Sequence, residues 1–183
     1  MAGTLTVQNL QGPTSGANAN KIIIPSGQTL HAAGHVVQVV QAASTTKLET
    51  TTPNVWYDCG AVLSITPTSS TSKIYLSNSA TGIVRATANI SIGLRLLRNV
   101  NGGGWDVVTQ RSRHGYWGSA INTYTSVHYG MEYLDSPNTA LTTQYKIQLY
   151  LTVSGSNVRY NDTENLLTPN TSESTLIAQE IAQ

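Results

Sequence analysis

ATANISIGLRL, residues 86–96, decides how the fold is read. Ala86, Ala88, Ile90, Ile92, Leu94 and Leu96 alternate there with Thr87, Asn89, Ser91, Gly93 and Arg95, a period of two. Successive strand side chains point to opposite faces, so this is a strand with one face on a core and one toward solvent. Tyr145, Ile147, Leu149, Leu151 and Val153 repeat the pattern against Lys146, Gln148, Tyr150 and Thr152, which predicts a second long strand. Both belong near the centre of a sandwich.

Shorter strand candidates surround them at 62–66, 73–77, 105–110, 124–134 and 156–160. Turn residues separate them, at Asn101–Gly104, Ser154–Asn157, Asp135–Asn138 and Thr66–Ser72. Gly and Asn supply the positive φ of tight turns and Pro fixes φ near −65°, so these clusters end strands. The first two read as hairpins. The closing TLIAQEIAQ reads as a strand with Thr175, Ile177, Gln179 and Ile181 on one face. No ten-residue helical pattern intervenes, and the sum is an all-β chain: an antiparallel β-sandwich or jelly roll.

Upstream the pattern changes. Residues 4–41 hold short apolar runs cut by Gly, Pro, Ser and Asn, too little to form a core alone. Val36, Val37, Val39 and Val40 place apolar side chains on both faces of one strand, which burial by neighbouring subunits would explain. A course through the sandwich core is the other reading. We therefore expect an N-terminal attachment or trimerisation arm at 1–41, a linker at 42–51 where AASTTKLETT is small and polar, and a head at 52–183. The apolar arm residues expected to be buried among subunits are Leu5, Val7, Leu10, Ile22, Ile23, Ile24, Val37 and Val39.

Charged residues make up 10% of the 183 positions and the net charge is +1. Typical domains carry roughly 25%. The ten Lys and Arg form no basic run able to follow phosphates, so nucleic acid is not an expected partner. No apolar run approaches a membrane span and no signal-like segment opens the chain, so membrane insertion is not expected and synthesis in a cytoplasm is. Cys59 is the only cysteine, which excludes an intrachain disulfide and suits a buried small hydrophobe.

Three places in the sequence hold residues of chemical interest. His31 and His35 stand four apart, but their glycine-containing extended context lacks a metalloprotease glutamate, so no metal or other cofactor is expected. Cys59, Asp58, His114 and His128 are the ingredients of a thiol hydrolase, but a nucleophile needs a base oriented by a third group, and that geometry is not read from sequence. No motif names an enzyme. The stretch WDVVTQRSRHGYWG, 105–118, crowds Trp105, Arg111, Arg113, His114, Tyr116 and Trp117. Aromatic rings beside Arg and His can stack on sugar faces and bond hydroxyls, which makes these six the candidate glycan contacts. Bulk for the core of a Phe-free chain is the other use of its Trp and Tyr, and Trp56 and Tyr57 are expected to begin that core.

TLTVQNLQGPTSGANANKIIIPSGQTLH at 4–31 and ESTLIAQEIAQ at 173–183 resemble the two ends of small virion proteins of tailed bacteriophages, particularly marine and cyanobacterial ones. The resemblance covers about the first forty and last ten residues. It implies a homotrimeric short fibre, spike or capsid-decorating protein, made in the host cytoplasm and located in the virion. Its arm would dock on other virion proteins of the capsid or tail, and its jelly-roll head, similar to the C1q and tumour-necrosis-factor type, would face outward. The long repetitive shaft of a host-reaching tail fibre is absent from this sequence. A carbohydrate-binding adhesin that recognises a host-surface glycan is the alternative.

Overall fold

Alternation of apolar and polar residues over most of the chain yields ten strands and no helix among the described residues of the computed structural model, which are 11–19, 21–24, 26, 32–162 and 172–183. The strands are β1 (Val36–Ser44), β2 (Leu48–Thr50), β3 (Trp56–Ile65), β4 (Lys73–Ala86), β5 (Ile90–Val100), β6 (Asp106–Trp117), β7 (Ile121–Asp135), β8 (Thr143–Leu151), β9 (Asn157–Tyr160) and β10 (Ser174–Ile181). The chain forms two compact units, Met1–Ala32 and Ala33–Gln183.

In the second unit, one sheet has the order β3-β8-β5-β6. The other runs β1-β10-β4-β9-β2, with β7 also paired to β4. All of these pairings are antiparallel. The eight longer strands make two sets of four, β1-β10-β4-β7 and β3-β8-β5-β6, the order of a double-sheet jelly roll. The two strands expected at the centre, β5 and β8, are neighbours in the middle of the four-stranded sheet.

Their inward side chains make the core. Cys59, Leu63 and Ile65 of β3, Ile90, Ile92, Leu94 and Leu96 of β5, and Tyr145, Ile147, Leu149 and Leu151 of β8 meet Ile74, Leu76, Val84, Tyr129, Met131, Tyr160 and Leu176 from the other sheet. Fully burying one such aliphatic side chain contributes about 1.5–3 kcal/mol. Burial, with the Asp58 charge adding to it, pushes the Cys59 thiol far up from its ordinary value. A thiol reagent at pH 8 is therefore expected to leave the native protein unlabelled and to label one cysteine in denaturant. Rapid native labelling would contradict this packing.

Four local expectations are corrected. The alternation from Ala86 is broken at Thr87–Asn89, where the chain leaves β4 for β5 in the other sheet. Ala86 and Ile90 are both buried, but on opposite walls of the core. Asn101–Gly104 does close the β5–β6 hairpin, whereas the turn at Ser154–Asn157 carries the chain from β8 to β9, between sheets. Residues 174–181 do form a strand, yet it is Ser174, Leu176, Ala178 and Glu180 that turn inward, and the predicted Thr175–Ile181 face points out. Hydrogen bonds make this polar choice possible: Glu180 accepts from Gln38 Nε2, Thr68 N and Thr68 Oγ1, each at 2.7 Å.

The last correction concerns the strand at 36–44, expected within the arm. It pairs along β10, and β2, expected in the linker, pairs with β9. Val40 and Ala42 pack on the chain's own core while Val39 remains 58% exposed, so only one face of the strand lacks cover. In the first unit, backbone bonds from Ala19 N to Gly16 O and Lys21 N to Asn18 O form a tight turn. Ile22, Ile23 and Ile24 after it are exposed. Leu5, Val7, Leu10 and His31 lie outside the described residues.

Candidate functional site

The outward face of the four-stranded sheet carries a ladder of aromatic and charged side chains. In register across three strands, Trp56 of β3 stands opposite Tyr150 of β8, and Tyr150 opposite Gly93 of β5. The absent side chain at Gly93 leaves the space the indole needs, since a Cβ there would lie 3.2 Å from Trp56 Cη2. Trp56 and Tyr150 rings are 4.9 Å apart, and the Arg95 guanidinium sits 4.4 Å from the indole centre. Tyr150 is held by a 2.7 Å hydrogen bond from its hydroxyl to Asn54 Oδ1, on a residue with φ of 62°.

One step along the sheet, Arg95 Nε donates to Gln148 Oε1 at 2.7 Å, and Gln148 Nε2 donates to Asp58 Oδ1 at 2.6 Å. Lys146 Nζ also donates to Asp58, at 2.9 Å, and lies 4.4 Å from the Trp105 ring centre. Partial burial alone would raise the Asp58 carboxyl. The hydrogen bonds from Lys146 and Gln148 and the charges of Lys146 and Arg95 outweigh it, holding the group below its ordinary value. The relay fixes Arg95, and through Arg95 the indole.

Beyond Trp56 a groove of about 400 Å³ opens, lined by Trp56, Tyr150, Ser91, Thr152, Gln110, Ser112 and Arg113. Its far wall is a bulge. Leu94 pairs with Arg111 and Ile92 with Gly115, so three residues of β6, Ser112–His114, stand opposite Gly93 alone. Bulges re-aim side chains where a strand passes a site, and this one brings Ser112 and Arg113 to the groove.

The six residues singled out in 105–117 therefore do not form one site. Arg113 lines the groove, with its guanidinium 5.3 Å from the Tyr116 ring centre. Trp105 caps Lys146, and Trp117 packs on the core. His114 Nε2 lies 3.2 Å from His128 O on β7. Arg111 lines a second cleft of about 390 Å³ with Ser77, Ser79, His128 and Glu132. There Ser79 Oγ and His128 Nε2 are 3.1 Å apart, but no carboxylate orients the imidazole among the described residues. Cys59 is buried in the core.

Trp56 was misread as core. Parity held the signal: Trp56 shares its strand face with Asp58, Val62 and Ser64, while Cys59, Leu63 and Ile65 occupy the other. Tyr150 is likewise in phase with Lys146 and Gln148. Gly93 and the bulge had no readable signal, because pairing across strands alone gives them meaning.

These features define an antiparallel double-sheet β-sandwich with a polar, aromatic-walled groove on one outer face. No protein-family model matches the chain, and no curated protein matches it. Solved structures similar to it include a chain of infectious bursal disease virus, Gt strain, at a TM-score of 0.41 and 14% identity over 88% of this chain and 42% of that one. Derived T=1 particles of the same virus give a TM-score of 0.37 and 14% identity over 93% and 44%. The chain thus spans less than half the length of these matched chains. A likeness this distant assigns neither family nor function.

Proposed function

We propose that the protein is a structural component of a bacteriophage particle, a homotrimeric short fibre, spike or capsid decoration. Its first unit, with Leu5, Val7, Leu10 and the Ile22–Ile24 run, attaches to other virion proteins, and its jelly roll is displayed outward. Localisation is then the virion, after synthesis in the host cytoplasm. The resemblance of residues 4–31 and 173–183 to phage virion proteins supports the class, and the jelly-roll strand order is consistent with it.

The observation that carries self-association is the outer face of the larger sheet. Val39, Gln179, Tyr75 and Leu134 form one row across β1, β10, β4 and β7. Val39 and Leu134 are 58% and 49% exposed, and Val36, Ile177 and Ile181 extend the apolar surface. Val37, the other arm candidate on this strand, is half-buried. Exposed apolar area at this density is characteristic of an interface, and a closed three-fold arrangement would cover one such face on every subunit. Light scattering of the full chain is expected to give three times the 19.5 kDa chain mass. Val39→Asp with Leu134→Asp should return the monomer mass, with the far-UV spectrum unchanged. A monomeric parent protein overturns the reading.

The groove beside Trp56 favours a second reading, a carbohydrate-binding adhesin for a host-surface glycan. Display and recognition are compatible, since groove and apolar row lie on different sheets.

A further inference from the structure

The geometry points to the Trp56 groove as a binding site for a carboxylated pyranose, a uronic- or sialic-acid-type residue of a glycan, with Arg113 as its anion partner. This rests on the recognition reading and relocates it from the Trp105–Trp117 stretch to a composite of three strands and the β6 bulge.

Three properties carry the inference. The first is a preorganised aromatic wall. Arg95 lies over the indole, and the relay through Gln148 and Asp58 fixes Arg95. By register Arg95 and Gln148 flank the Trp56–Tyr150–Gly93 row on one side, and Ser91 and Thr152 flank it on the other. A sugar ring that enters the groove meets the Trp56 and Tyr150 side chains that line it. Aromatic faces bind the C–H faces of pyranoses through dispersion and loss of water, and a fixed ring pays little ordering entropy on binding.

The second is the lining. Thr152 Oγ1 is engaged with the Ser91 backbone and Gln110 Nε2 with Ser112 Oγ, which leaves the Ser91 hydroxyl, the Ser112 hydroxyl hydrogen and the Gln110 carbonyl to offer the donors and acceptors that ring hydroxyls require. Such a groove is too polar for a lipid or apolar peptide.

The third is the charge. Arg113 is the one ionisable group with a full charge lining the groove, and among the described residues it makes no ion pair. Asp58, the nearest acid along the ladder, is already held by Lys146 and Gln148. A guanidinium without a carboxylate, above a hydroxyl-lined floor, matches a sugar that brings its own. Arginine accepts a carboxylate through two parallel N–H bonds, which fixes the ligand's orientation as well as its charge.

The test uses the full chain and an array of glucuronate-, galacturonate- and sialate-containing oligosaccharides, each beside its carboxyl methyl ester. Carboxylated members are expected to bind and their esters to bind about tenfold more weakly, a difference of about 1.4 kcal/mol. Arg113→Gln, an exposed position that leaves folding intact, should erase the preference between acid and ester. Trp56→Ala should abolish binding, and Trp56→Tyr should restore part of it, which separates lost stacking from a folding defect. Equal binding of acid and ester overturns the Arg113 assignment. Binding that survives Trp56→Ala but is lost in Trp105→Ala and Trp117→Ala overturns this site while the recognition reading stands. Binding to no glycan on the array overturns both.

Discussion

Asp135→Ala is expected to cost about 3–5 kcal/mol of folding stability, the range for breaking a buried ion pair by removing one partner. Asp135 closes β7 and is 5% exposed. Arg98 Nη1 of β5 donates to both of its carboxylate oxygens at 3.0 Å, and the buried Tyr145 hydroxyl of β8 donates to Oδ2 at 2.7 Å. One carboxylate from the larger sheet thus answers two donors from the smaller. Alanine leaves a part-buried guanidinium without its counter-charge and a buried phenol without an acceptor. Arg98 Nε, already buried without a hydrogen-bond partner, has nothing to offer in compensation. Urea midpoints measure the loss. In a double-mutant cycle, Tyr145→Phe should cost much less once Asp135 is gone. A drop below about 1 kcal/mol for Asp135→Ala, the scale of exposed pairs, would mean that solvent reaches the cluster.

Glu180→Ala is the second large effect, roughly 3 kcal/mol, because hydrogen bonds to a charged group contribute about 1.5–3 kcal/mol and this carboxylate accepts several from Gln38 and Thr68. Glu180 is fully buried at the end of the core. Burial would raise its carboxyl, but the bonds from Gln38, Thr68 and Ser72 prevail and hold it below the ordinary value. A carboxyl lowered on folding stabilises fully above its unfolded pKa, about 4.3 for glutamate, and less as the pH falls through the folded value. The parent protein should therefore lose stability between about pH 5 and the lower folded value. Glu180→Gln should be less stable at pH 7 and flatter over that interval. An identical acid slope in both proteins would assign the slope to other carboxylates.

Both sites show where sequence reading stops. Alternation at Ile90–Leu96 and Tyr145–Leu151 gave the two central strands, since a residue's parity is local information. The same rule failed at Ala86–Asn89, where a small polar turn preserves parity by chance, and at residues 174–181, where the inward face contains Ser174 and Glu180. A buried glutamate looks like a surface residue until Gln38 and Thr68, more than a hundred positions away, are brought to it. The pairing of the strand at Val36–Ser44 was illegible for a related reason. Nothing near Val39 tells that its strand pairs with Ile177 and Gln179 rather than with another subunit. In the groove, Arg113 was legible as chemistry, but its partners Trp56, Gly93 and Tyr150 were joined to it by strand register.

The position of β10 gives the fold a schedule. Residues 174–181 follow every other described strand in sequence, yet they occupy the gap between β1 and β4. Until they are in place, β1 lacks its antiparallel neighbour, one long edge of β4 is bare over Lys73–Ser79, and the donors of Gln38 and Thr68 lack Glu180. The larger sheet therefore closes only once β10 is in place, through contacts of long sequence separation that form slowly. Its unfinished edges are open to other chains during that interval. The step that completes the sheet is also the step that removes this hazard, and it falls to eight residues distant in sequence from the strand they secure.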